Sequence, residues 1–142
     1  MRVALLIVLL FISGYSLAGT QDKTTQCLEG LIKDSRFSSL TKHLVLDGQN
    51  VTKPQMLTDN KIPNDEQKLA IADWIDARSL CVNLSPTKIS VDLHILFLSI
   101  VPELYNGQAT FGEFNKKWQK LFKEATEVPA NPPDTPPATH QH

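Results

Sequence analysis

The chain has 142 residues, 42% hydrophobic and 20% charged, with 14 Lys and Arg against 15 Asp and Glu for a formal net charge of −1. That balance lacks the clustered basic charge that neutralises several phosphates at once, which excludes nucleic acid as an expected partner. Removing the N-terminal segment discussed next leaves about 124 residues, the size of one domain with a modest core.

The first eighteen residues read as a targeting segment. Arg2 precedes an apolar run from Val3 to Ile12, Ser13 and Gly14 break it, and Ser16-Leu17-Ala18 places small residues where a signal peptidase reads. Cleavage after Ala18 is expected, giving a periplasmic or secreted chain with no stable membrane insertion. Even from Val3 to Ala18 the stretch is shorter than the roughly 20 residues a spanning helix needs. The domain plan is therefore a signal at 1–18, a helical domain at 19–127 and a disordered proline-rich tail at 128–142.

A first helix is expected from Lys23 to Lys33, with Cys27, Leu28, Leu31 and Ile32 on one side. From Asp34 to Lys61 the pattern is irregular, punctuated by Asp47-Gly48 and Lys53-Pro54, with Leu44, Val45, Leu46, Met56 and Leu57 as its buried residues. Pro63-Asn64-Asp65-Glu66-Gln67 then opens a helix, with Asn64 as cap, acids in the first turn and Gln67 as capping-box partner. Ala70, Ile71, Trp74, Ala77 and Cys81 recur on its inner face to about Leu80, leaving Lys68, Asp73, Asp76 and Arg78 wet.

Ile89 to Tyr105 is the most apolar stretch after the signal. Ile89, Val91, Leu93 and Ile95 alternate with polar residues as a strand would, but the alternation fails beyond Ile95. A helix is preferred, with Asp92, Ser99, Glu103 and Asn106 on one polar stripe, nearly everything else buried, and a kink or restart at Pro102. After a turn at Asn106-Gly107, Thr110 and Glu113 form a capping box. The last helix carries Phe111, Phe114, Trp118, Leu121, Phe122 and Ala125 as an apolar stripe. Glu113–Lys117, Lys120–Glu124 and Lys123–Glu127 pair four apart on its outside. From Val128 the five prolines of the tail allow no core. The fold class is all-α: a small bundle of about four helices with one irregular segment.

Cys27 and Cys81 are the only cysteines. In an exported chain they read as one structural disulfide, closing a loop of 54 residues and contributing at most roughly 4 kcal/mol by the chain-entropy model. No catalytic residue is nominated. A disulfide would silence any cysteine partnered with His43 or His94, no Gly-x-Ser-x-Gly elbow is present, and Asp73 and Asp76 lie on a wet face. No metal site is nominated either, because His140 and His142 alone make no selective site. No cofactor motif occurs. Two sequons, Asn50-Val51-Thr52 and Asn83-Leu84-Ser85, matter only in a glycosylating host.

The run Leu104-Tyr105-Asn106-Gly107-Gln108-Ala109-Thr110-Phe111-Gly112-Glu113-Phe114-Asn115 resembles a motif of small exported proteins of Gram-negative bacteria, in which it joins two helices. Met56-Leu57 and the spacing of Trp74, Arg78 and Cys81 resemble that family more loosely, and the likeness covers about half of the mature chain. It implies a periplasmic helical domain and no particular function. Many of those proteins carry a lipidated cysteine where this chain has Thr20. The expected function is a non-enzymatic exported interaction module with a protein partner. The alternatives are a periplasmic inhibitor or immunity protein against a toxin or lytic enzyme, and a small secreted enzyme with an unfamiliar site.

Overall fold

A computed structural model describes residues 22–127. The expected signal at 1–18, the tail at 128–142 and the His140/His142 pair lie outside the described residues. The described chain forms α1 (Lys23–Gly30), α2 (Pro54–Leu57), α3 (Asp65–Leu84), α4 (Lys88–Tyr105) and α5 (Phe111–Thr126). No strand occurs among the described residues, so Ile89 to Ile95 is helical. No helix among them is long and apolar enough to cross a membrane.

The expected capping box starts α3. Asn64 Oδ1 accepts from Gln67 N at 2.8 Å, and Gln67 Oε1 accepts from Asn64 N at 3.0 Å. The helix runs past the expected end at Leu80 because its last turn is satisfied from outside. Thr24, buried in α1, donates its hydroxyl to Cys81 O at 2.7 Å and accepts from Ser85 N at 3.0 Å. Beside that lock Cys27 and Cys81 come together in disulfide geometry, their Cα atoms 5.3 Å apart. α1 itself ends at Gly30, and Leu31–Lys33 continues as a tighter 3-10 turn.

A second capping box, between Thr87 and Ser90, opens α4. The helix passes through Pro102 without restarting and ends at Tyr105. The expectation that nearly everything off the polar stripe of α4 is buried is corrected. It packs on α3 and α5, leaving an outer side that no other helix covers. Four of its residues, His94, Phe97, Val101 and Leu104, are buried. Phe97 packs edge-on against Trp74, Phe114 and Trp118, which makes it the meeting point of α3, α4 and α5.

The segment from Asp34 to Lys61 is irregular as expected, and buried backbone of that kind needs hydrogen-bond partners. Side chains of α3 and α5 supply them. Trp74 Nε1 donates to Leu46 O at 3.0 Å, Trp118 Nε1 to Gln49 O at 3.0 Å and Gln119 Nε2 to Val51 O at 2.9 Å. Asn115 Nδ2 donates to both His43 O and Met56 O at 2.8 Å. Leu44, Leu46, Val51 and Met56 are thereby held in the core, with Val45 and Leu57 packed against it.

At the start of α5, Thr110 Oγ1 accepts from Glu113 N at 3.1 Å, with no return bond from the Glu113 side chain. Gly112 meets the segment after α2 so closely that a Cβ would lie 2.7 Å from both Leu57 O and Asp59 O. The charge pairs differ in part from expectation. Lys120 pairs with Glu124, but Lys117 reaches across to Glu103 of α4 at 2.6 Å instead of Glu113.

Candidate functional site

His43 and His94 do not share a cleft. His43 Nδ1 pairs with Asp59 Oδ2, and its ring stacks on Phe111 with centroids 4.4 Å apart, beside the start of α5. His94 faces α3 and meets Ser79 Oγ through Nε2 at 2.9 Å. Ser79 Oγ also lies 3.0 Å from Ile75 O, and the other ring nitrogen, Nδ1, is buried with no partner. Burial, reinforced by the charge of Arg78, holds this imidazole below its ordinary range. The pair lacks what activates a serine, because no third group reaches Nδ1 to orient the ring.

Asp73 and Asp76 are exposed, as expected, on the rim of a cleft of about 400 Å³ beside the disulfide. The same cleft is edged by Asp34, whose carboxyl is held below the usual range by hydrogen bonds from Arg36. Among the described residues no group of three His, Cys, Asp or Glu is placed to hold a metal. Of the sequon asparagines, Asn83 is exposed at the end of α3 and Asn50 is half-buried.

Two features stand out from these. The first corrects the sequence reading of Arg78 as a wet residue: it is only 3% exposed. Lying one turn beyond Trp74 on the inner face of α3, its guanidinium stacks on Phe97 with Cζ 3.9 Å from the ring centroid. Gly48, in the left-handed region at φ 74°, sits against the other end of the group, where a Cβ would lie 3.0 Å from Nη1. No carboxylate among the described residues reaches ion-pair distance of Arg78, and its Nε is buried without a partner. Desolvation pushes its pKa down to about 9, partly opposed by Asp47, so it stays charged at neutral pH. Above it lies a cavity of about 150 Å³ between the first turns of α1 and α4.

The second feature is the outer side of α4. Val91, Ile95, Leu98, Pro102 and Tyr105 follow one another at alternating spacings of four and three, and all are exposed, Ile95 to 58%. That spacing lays them along one stripe of the helix. Asp92, Ser99 and Glu103 border it on one side, where the sequence had placed the polar face.

No family model matches the chain, and neither does any curated protein or solved structure.

Proposed function

We propose that the chain is an exported, non-enzymatic interaction module that docks an apolar helix of a partner protein along the outer ridge of α4. The observation that carries this reading is the ridge itself. Five apolar side chains in a four-three repeat span four turns, which is the seam that a second helix fills with knobs into holes. Isolated exposed apolar residues are ordinary, whereas a contiguous stripe of this length marks a contact surface. The border is charged with both signs, Lys88 with Asp92 and Lys117 with Glu103, which suits a protein better than an anionic membrane. Export rests on the signal pattern at 1–18 and is supported by the disulfide geometry of Cys27 and Cys81.

Placing a photo-crosslinking amino acid at Leu98, in cells that export the chain, tests the reading. A crosslinked adduct with a different protein, lost on Ile95→Lys, is the expected result. An adduct of twice the chain's own mass would replace the foreign partner with a second copy. Failure of any adduct to form from Leu98 would overturn the docking surface.

A further inference from the structure

The cavity over Arg78 is built from parts that select one chemistry. A guanidinium without a carboxylate partner in a buried setting is costly, because desolvation is not offset by an ion pair. Stacking on Phe97 recovers part of that cost, but Nε stays buried without an acceptor. The first turns of α1 and α4 also line the cavity, but both are capped from within, α1 by the Asp22 carboxylate and α4 by the Thr87–Ser90 box. The guanidinium without a carboxylate partner is therefore what favours an anion. Phe97 covers one face and Nε is sealed from solvent, so an acid in the cavity meets the group at its Nη atoms, beside Gly48.

The remaining walls narrow the choice further. Asp22 and Asp47 also line the cavity, and their charge opposes a dianion such as a phosphate monoester while tolerating a single charge. Leu28, Val82, Ile89 and Leu93 supply an apolar wall. A volume of about 150 Å³ is that of an apolar cavity known to admit a six-carbon ring.

We propose that the cavity between the first turns of α1 and α4 binds a small monocarboxylate with an apolar body of about six carbons, its carboxylate held by the Arg78 guanidinium. The same group is offered by a free short-chain acid or by the last residue of a peptide with an apolar side chain. Titration calorimetry on the disulfide-closed chain separates these sources, using hexanoate, N-acetylleucine, their amides and inorganic phosphate. The expected result is saturable binding of at least one acid, at least tenfold tighter than its amide and than phosphate. Preference for N-acetylleucine assigns the site to a peptide terminus, and preference for hexanoate to a free acid.

Arg78→Met should abolish that binding, and a melting temperature no lower than wild type would show that the charge serves the ligand and not the fold. Should that variant fail to fold, Ile89→Trp obstructs the cavity from its exposed side, leaves Arg78 in place and should also abolish binding. In the unaltered chain, the Arg78 Nη–H resonances should shift with the acid and not with the amide. Equal affinity for acid and amide, no saturable binding of either acid, or unmoved Nη–H resonances at saturation overturns the proposal.

Discussion

The indole of Trp118 donates to the carbonyl of Gln49 across 69 residues of sequence, at 3.0 Å. The ring is a core element and the N–H is a strut under an irregular loop, so two substitutions separate the roles. Trp118→Ala should destabilise by about 3–5 kcal/mol through lost burial and a cavity. Trp118→Phe keeps much of the apolar contact but strands the Gln49 carbonyl, and should lose about 1–3 kcal/mol. Denaturant unfolding of both variants measures the split; a Trp118→Ala curve matching wild type would remove the residue from the core.

Two glycines should respond to alanine with opposite signs. At Gly112 a Cβ meets two backbone carbonyls at 2.7 Å, so Gly112→Ala forces α5 away from the 57–59 segment and should destabilise by about 1–3 kcal/mol. At Gly30 nothing lies within 4 Å and the backbone is already helical, so Gly30→Ala should stabilise by about 0.4–1 kcal/mol. Chemical denaturation of the pair tests whether the glycine in the Thr-Phe-Gly-Glu run is there for close approach.

Reducing the disulfide, or Cys81→Ser, should lower stability by up to about 4 kcal/mol without altering ridge docking, since neither sulfur reaches the outer side of α4. Thiol titration of the unreduced, denatured chain should find no free thiol. Two per chain would refute the bridge.

His94 should make stability fall on mild acidification. Its folded-state pKa lies below the ordinary value of 6.5, so above that value both folded and unfolded chains hold it neutral. As pH drops below it, the unfolded chain takes up the proton first, and stability is lost down to the folded pKa. His94→Gln preserves a donor to Ser79 but does not titrate. Melting temperatures between about pH 7 and 5 should be flatter for the variant than for wild type.

The Ser16-Leu17-Ala18 pattern predicts a mature chain beginning at Gly19. Intact-mass measurement of the exported form checks it, and a retained Met1 or a lipid-sized increment would contradict it.

Most of what the sequence shows is decided locally, although the Glu113 return bond and the Glu113–Lys117 pair do not form. The Asn64–Gln67 box, the turn at Gly107 and the stripe of α5 are decided by residues a few positions apart, and the helices formed there. Arg78 was misread because its burial depends on Phe97 and Gly48, which no periodicity of α3 reveals. The α4 ridge differs from expectation for a related reason: a broad apolar face beside a polar stripe says that a helix can be buried, not how many neighbours the fold supplies. The irregular segment shows its buried residues in the sequence but not its path, since its carbonyls are satisfied by Trp74, Asn115, Trp118 and Gln119 from distant helices. The cavity over Arg78 escaped with its floor.

The bond between Cys27 and Cys81 closes a covalent ring that contains the irregular segment, α2 and most of α3, while α4 and α5 lie beyond it. The ring nevertheless depends on what it excludes, because carbonyls of His43, Gln49, Val51 and Met56 are all held by α5 side chains. Detachment of α5 therefore releases the loop inside the ring while the cross-link keeps α1 against α3. In hydrogen-exchange terms, the segment between His43 and Met56 should open together with α5 as a single unit, and the α1–α3 pair should remain protected longest.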